Sequence, residues 1–207
     1  MSVSPLPIGI LVSGRGSNME AIAAAIARGE VPARIQVVVS DRPGACALDL
    51  ARQRGLKAMA LEPRAYPTRQ AYDLALAAAL EREGVELVVL AGFMRLLSQD
   101  FLDRFPGRVI NIHPALLPSF PGIDAQRQAL EYGVKYSGCT VHFVDAGTDT
   151  GPIIAQAVVP VRDDDTPETL AARILVEEHR LYPQVIKWIA EGRMEFQGRR
   201  VRVRPGS

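Results

Sequence analysis

The chain has 207 residues, of which 48% are apolar, and its 24 basic and 23 acidic residues leave a formal net charge of +1. This length and composition predict one domain over residues 1–207 with a continuous core. The near-neutral charge excludes a global field that would hold tRNA or DNA. We therefore expect no nucleic-acid partner, and any anion must be bound by a local site.

The two cysteines and the first residues bear on where the protein resides. Cys46 and Cys139 have no CxxC or histidine spacing around them, which argues against a disulfide framework and a zinc site. Residues 1–7 lack a basic segment followed by a long apolar stretch, and no apolar run elsewhere approaches the ~20 residues of a membrane span. We expect a soluble, cytoplasmic protein with reduced thiols and no membrane partner.

Short apolar runs alternate with helical patterns over the first half of the chain. The runs predict buried strands at residues 8–12, 35–39, 58–61, 87–90 and 109–112. The patterns between them predict a helix that Asn18 caps and Gly29 ends, and further helices at residues 47–54, 68–83 and 98–105. This order predicts an α/β fold whose parallel sheet is covered on both faces by right-handed crossovers.

The pattern changes after residue 113. Prolines and a glycine between residues 114 and 122 predict an irregular loop, and residues 124–132 predict a short helix. Residues 137–144 and 153–161 are typical of two paired strands. Thr166 as N-cap and Pro167 at the first helical position predict a long helix to about residue 190, and residues 194–203 predict a hairpin.

A glycine-containing segment, SGRGSN at residues 13–18, lies where the first predicted strand meets the first helix. Backbone N–H groups at such a turn can bind a phosphate. The segment lacks the Lys-Ser/Thr ending of a P-loop and the third glycine of a dinucleotide fingerprint, and no acidic residue clearly ends the second strand to bind a ribose. The residues alone leave a phosphate site and a plain tight turn both open.

An amide, an imidazole and a carboxylate stand at positions from which they can converge. Asn111 and His113 are alternate residues at the carboxyl end of a predicted strand, and Asp149 follows the next one. This trio suits acyl transfer, because an amide N–H stabilises an oxyanion, an imidazole moves a proton and a carboxylate orients the imidazole. The alternatives are a structural His113 and an Asp149 that only shapes a turn.

Other polar residues have simpler interpretations. His142 lies within a strand-like run, so we expect a packed, hydrogen-bonded histidine. Glu177 and Glu178 on the long helix are typical of a solvated face. Residues 92–97 could line a pocket for a flat aromatic ligand with acidic groups, but core packing plus a surface arginine explains them equally.

Taken together, several ordered segments resemble the phosphoribosylglycinamide formyltransferases, the folate-dependent formyltransferases of purine synthesis. The match spans roughly residues 8–190 and rests on residues 13–18, 89–95, 111–118, 140–144, 149–151 and 178–179. The resemblance implies a Rossmann-like, mostly parallel twisted sheet flanked by helices, with a C-terminal antiparallel extension and a long helix. It further implies a single formyltransferase domain, in which residues 1–105 bind the phosphate of glycinamide ribonucleotide and residues 106–207 hold 10-formyltetrahydrofolate and the catalytic groups.

The resemblance also implies roles for particular residues. The catalytic residues would be Asn111, His113 and Asp149. The nucleotide substrate would contact Gly16, Ser17, Asn18, Leu175, Val176, Glu177 and Glu178. The folate would contact Arg69, Met94, Arg95, Leu96, Leu97, Asn111, Asp145, Ala146, Gly147, Thr148 and Asp149, and no metal is implied. This chain departs from the pattern at three positions, which are Ala115, Thr150 and Leu175.

The implied reaction is attack of the nucleotide's amine on the formyl carbon, with Asn111 and a protonated His113 stabilising the oxyanion and Asp149 favouring the imidazolium. The same signature resembles methionyl-tRNA formyltransferase and formyltetrahydrofolate deformylase. Those enzymes are expected to bring a basic C-terminal domain and an N-terminal regulatory domain respectively, and we expect neither in this chain. A non-catalytic nucleotide-binding module is also compatible with the fold, and both a monomer and a homodimer remain open.

Overall fold

A seven-stranded mixed sheet forms the centre of the molecule in a computed structural model that describes residues 4–206. Its strands are β1 (Leu6–Val12), β2 (Ala33–Ser40), β3 (Ala58–Ala60), β4 (Leu87–Leu90), β5 (Val109–His113), β6 (Tyr136–Phe143) and β7 (Ile153–Pro160). The spatial order is β3-β2-β1-β4-β5-β6-β7. The first five strands are parallel, and β6 and β7 add antiparallel pairs. The predicted parallel sheet with an antiparallel extension is confirmed.

Helices follow most strands, as the sequence predicts. They are α1 (Ser17–Ala27), α2 (Cys46–Gln53), α3 (Arg69–Arg82), α4 (Gln99–Arg104), α5 (Ala125–Tyr132) and α6 (Pro167–Ala190). The predicted hairpin is also present as β8 (Met194–Gln197) and β9 (Arg200–Val203). Thr166 caps α6 in a reciprocal capping box with Thr169, and Pro167 occupies the first turn, so this predicted helix start is confirmed.

The start of α1 differs from the prediction. Gly16, not Asn18, is the N-cap, and its φ of +84° lies in the left-handed region that glycine adopts without strain. A Cβ on Gly16 would lie 2.6 Å from the Cβ of Ala47, so the loop packs closely on α2. The prediction that Asn18 caps the helix is therefore wrong. The Asn18 side chain is buried and free to contact a distant element instead.

Helices cover both faces of the sheet. One face packs against α1, α2 and α6, and the other packs against α3 and α4. The Tyr182 hydroxyl of α6 lies 2.8 and 3.1 Å from the carbonyls of Leu90 and Ile110, which share its one hydrogen, and so connects the long helix to β4 and β5. The helices described within residues 4–206 include none with the length and hydropathy of a membrane span.

Candidate active site

The carboxyl end of β5 brings together the amide, the imidazole and the carboxylate. Asn111 and His113 project from β5, and the loop after β6 returns Asp149 to them. His113 Nδ1 lies 3.3 Å from Asp149 Oδ2. The amide nitrogen of Asn111 lies 3.5 Å from Asp149 Oδ1. The convergence that the sequence predicts is therefore present, at the edge of the sheet where ligands bind in open α/β folds.

His142 completes this cluster. It pairs opposite Asn111 in the antiparallel register of β5 and β6, and its Nδ1–H donates to the carbonyl of Phe143 at 2.9 Å. Its Nε2 lies 3.3 Å from the Asn111 amide nitrogen and 3.5 Å from Asp149 Oδ1. The predicted packing of His142 is confirmed, but its contacts with the catalytic candidates were missed. The antiparallel pairing partner of Asn111 was the signal that could have found it.

Burial and hydrogen bonding set the charges of Asp149 and His113 in opposite ways. Burial lowers the pKa of His113, and the Phe120 carbonyl and the Asp149 carboxylate offset this only in part. Burial by itself raises the pKa of Asp149, but the neighbouring His142, the Gly122 N–H and His113 together hold it below the usual value. These shifts favour an aspartate anion beside a neutral imidazole in the ligand-free site. Because His113 is only 4% exposed, burial disfavours the expected imidazolium until the oxyanion of the reaction forms beside the ring.

The loop between β5 and α5 closes over His113. His113 Nε2–H donates to the carbonyl of Phe120 at 2.7 Å, and the Gly122 N–H donates to Asp149 Oδ2 at 2.8 Å. The Thr140 hydroxyl of β6 fixes the start of the same loop, because it donates to the carbonyl of Ala115 at 2.7 Å. The loop is thus irregular, as predicted, and bonded directly to two of the catalytic candidates.

The glycine-containing loop meets the long helix on the other side of this edge. The Asn18 amide nitrogen donates to Glu178 Oε2 at 2.8 Å, across 160 residues of sequence. Glu178 is 7% exposed, and burial raises its pKa while the Asn18 bond lowers it in part. Of the two glutamates expected on a solvated face, Glu178 is buried, because α6 turns it toward α1. Glu177 instead pairs with the exposed Arg180 at 2.6 Å.

Two neighbours of Glu178 on α6 are less buried than Glu178. Val176 is 67% exposed, and Leu175 is partly buried. Of the substrate residues that the resemblance implies on α6, Glu178 is the one whose side chain is hydrogen-bonded to the glycine-containing loop among residues 4–206. The hydrogen bonds described for the loop include none to Leu175 or Val176.

The residues expected to contact folate form two groups, one in the segment after β4 and one in the loop after β6. The first is Arg69 with residues 94–97, because the Arg69 guanidinium donates to the carbonyl of Leu96 at 2.5 Å. Met94 and Leu96 are 64% and 52% exposed, which core packing alone does not explain. Arg95 lies over the ring of Tyr72 at 5.3 Å, and Leu97 is buried.

The second folate group is the loop of residues 145–149. Ala146, Gly147 and Thr148 are exposed, and Asp145 and Asp149 are partly buried. The loop is therefore open to solvent at its tip and anchored at its two acidic ends. Among the described residues there is no group of three or more His, Cys, Asp or Glu side chains placed to hold a metal ion.

An acidic residue does end the second strand. Asp41 follows β2 directly and is 8% exposed, and its Oδ1 has no hydrogen-bond partner among the described residues. The expectation that no acidic residue ends this strand is wrong. The apolar run ends at residue 39 and predicts the strand end there, whereas β2 continues through Ser40.

Comparisons with known proteins agree with this geometry. Residues 7–186 match the family model described as formyl transferase. The chain belongs to the formyl transferase family. It is 43% identical over 187 residues to phosphoribosylglycinamide formyltransferase of Escherichia coli (strain K12), which covers 90% of this chain and 88% of that protein. The resemblance inferred from the motifs is thereby confirmed.

Longer and structurally characterised relatives fit the same family. The trifunctional purine biosynthetic protein adenosine-3 of Drosophila pseudoobscura pseudoobscura is 46% identical over 188 residues, which are 89% of this chain and only 14% of that protein. The chain thus spans about one seventh of the trifunctional relative. The crystal structure of glycinamide ribonucleotide transformylase 1 from Symbiobacterium toebii matches with a TM-score of 0.96 and 54% identity, over 98% of this chain and 95% of that one.

Proposed function

We propose that this formyl transferase moves the formyl group of 10-formyltetrahydrofolate to the amine of glycinamide ribonucleotide, giving formylglycinamide ribonucleotide and tetrahydrofolate in purine biosynthesis. The proposal rests on the cluster of side chains at the end of β5, where a nitrogen of Asn111 and a nitrogen of His113 each lie within 3.5 Å of the Asp149 carboxylate. The names of the relatives that match most of their own length, phosphoribosylglycinamide formyltransferase among them, support the choice of acceptor.

The oxyanion of the tetrahedral intermediate needs hydrogen-bond donors. The Asn111 amide and the Nε2–H of His113 supply them, and both are held by buried strand backbone. In the ligand-free chain the Nε2–H of His113 is bonded to the carbonyl of Phe120. A bound formyl oxygen must therefore displace this carbonyl from the Nε2–H. The developing negative charge on the formyl oxygen makes it the stronger acceptor.

Proton movement follows from the charges in the site. The amine forms a bond to the formyl carbon and becomes cationic, and the Asp149 carboxylate takes its proton, directly or through a water, and passes it to Nδ1 of the neutral His113. Asp149 stabilises the resulting imidazolium from 3.3 Å. The same proton then passes to N10 as the C–N10 bond breaks, directly or through a water, so that tetrahydrofolate leaves as a neutral amine.

The two substrates occupy opposite sides of the cluster in this proposal. Gly16, Ser17 and Asn18 hold the nucleotide phosphate at the start of α1, and Glu178 beside Asn18 binds the rest of the nucleotide. Arg69, residues 94–97 and residues 145–149 hold the folate. Residues 1–105 and 106–207 then act as nucleotide-binding and catalytic halves of one domain. The free cysteines, Cys46 and Cys139, suit a cytoplasmic enzyme.

The acceptor is tested by supplying purified protein with 10-formyltetrahydrofolate and, in parallel, glycinamide ribonucleotide, initiator methionyl-tRNA or water alone. We expect rapid loss of the formyl group only with glycinamide ribonucleotide. Formylation of the tRNA, or equal formate release without an amine, would assign a different acceptor. Binding of the nucleotide without any formyl transfer would reduce the protein to a non-catalytic module.

A further inference from the structure

Asp149 has an uncommon backbone conformation. Its φ is +54°, in the left-handed region that residues other than glycine rarely adopt. This conformation turns its carboxylate toward His113 and His142, and toward the Gly122 amide. Such a residue keeps a sparsely populated conformation only when its surroundings hold it there. The contacts of the neighbouring residue, Thr150, provide that restraint.

Thr150 is bonded on both sides. Its hydroxyl donates to Asp145 Oδ1 at 2.6 Å, and the same oxygen accepts the Gly147 N–H at 3.1 Å. Its carbonyl accepts a hydrogen bond from the guanidinium of Arg199. Because Thr150 directly follows Asp149, these bonds hold the residue that continues the chain from the Asp149 conformation.

Arg199 lies at the turn of the β8–β9 hairpin, and the hairpin is itself docked on the sheet. The ring of Phe196 packs against Phe143 at the end of β6, with centroids 5.0 Å apart. At the hairpin base, the Arg204 N–H donates to the Arg193 carbonyl at 2.9 Å, and Arg193 Nε donates back to the Arg204 carbonyl at 2.6 Å. The hairpin begins after residue 186, where the match to the family model ends.

We infer that Arg199 is a positioning residue, which holds the 145–151 loop so that the Asp149 carboxylate stays against His113. The inference rests on the proposed function, because it assigns the hairpin a part in that reaction. Arg199 and Thr150 are both exposed, so losing their bond leaves no buried polar group without a partner. The loss therefore acts on the geometry of Asp149 more than on the stability of the fold.

The test compares Arg199→Ala with the parent chain in formyl transfer and in a titration of His113 by NMR. We expect kcat to fall by roughly ten- to a hundredfold, the size of effect that a small misplacement of a catalytic group produces. The KM for glycinamide ribonucleotide stays the same, because Asn18 and Glu178 are bonded to each other elsewhere. The pKa of His113 falls below that of the parent, because Asp149 then offsets burial less.

Two further variants sharpen the test. Arg199→Lys keeps a cationic donor for the Thr150 carbonyl, so we expect it to recover part of the lost kcat. Arg202→Ala is the matched control, because the side chain of this exposed arginine of the same hairpin makes no hydrogen bond or ion pair with any residue between 4 and 206. It should retain the kcat and the His113 titration of the parent.

Each alternative outcome contradicts the inference. An Arg199→Ala chain with the kcat and the His113 pKa of the parent would show that the hairpin does not position Asp149. An equal loss in Arg202→Ala would trace the effect to the hairpin's charge instead. If the parent transferred no formyl group, the proposed function would fail, but the His113 titration needs no substrate and would still decide whether Arg199 holds Asp149 in place.

Discussion

The substitution Asp149→Asn removes the anionic group that lies 3.3 Å from His113 Nδ1. Asparagine has nearly the same shape and can still accept the Gly122 N–H, so the loop should keep its position. The charge beside His113 Nδ1 is lost. We therefore expect a folded protein that binds both substrates and transfers the formyl group slowly.

The size of the effect follows from the distance. At 3.3 Å between Nδ1 and Oδ2, a unit charge pair interacts by about 5 kcal/mol when the effective dielectric constant is about 20. Burial of His113 opposes the charged imidazole and offsets part of this interaction. We expect the activation barrier to rise by about 3 to 4 kcal/mol, which is a fall in kcat of roughly 10²- to 10³-fold.

The assay measures kcat and KM for both substrates over a range of pH, with the thermal midpoint as a check on folding. Asp163→Asn is the matched control, because this carboxylate is 94% exposed and forms a surface ion pair with the exposed Lys135. The control should match the parent. A kcat of Asp149→Asn within about threefold of the parent would refute the role of the charge.

Three further predictions follow from buried groups. Glu178→Gln should raise the thermal midpoint at pH 8, because a buried carboxylate with a raised folded-state pKa destabilises the fold as pH rises through that pKa. The same variant should raise the KM for the nucleotide by about tenfold. A lower midpoint would contradict the burial argument. Tyr182→Phe leaves two carbonyls without their donor, so urea unfolding should show a loss of about 1 to 3 kcal/mol, and an unchanged value would mean that the hydroxyl contributes no net stability. Because the folded-state pKa of His113 is lowered, the unfolded chain binds its proton first, and the free energy of unfolding should decrease as pH falls below 6.5. His113→Asn should reduce this dependence of stability on pH. An equal dependence in the variant would contradict the lowered pKa.

The sequence predicted the sheet and part of the site because those features are local. Alternating apolar runs and helical spacing are read within a few residues, and Asn111 and His113 share a face by strand geometry. The burial of Glu178 depends on how α6 packs against α1, and the contacts of His142 depend on the β5–β6 register. Neither is encoded within a short window, so both required the tertiary structure.

The charge of His113 illustrates the same limit. Its neighbour Asp149 was inferred from the motif, and attraction between the two alone would favour an imidazolium. The burial that lowers the pKa of His113 arises from the loop that folds over the ring and contacts it through the Phe120 carbonyl. A prediction of protonation thus needed the depth of the site as well as its residues.

The most direct test of the account is a single-turnover measurement of formyl transfer to glycinamide ribonucleotide by Asn111→Ala and His113→Ala beside the parent. The account predicts a competent parent and a loss of roughly 10²- to 10³-fold in each variant, because each removes one donor to the oxyanion. The circular dichroism spectra of the variants should match that of the parent. A transfer rate near that of the parent in either folded variant would contradict the claim that these side chains act together on the formyl carbon.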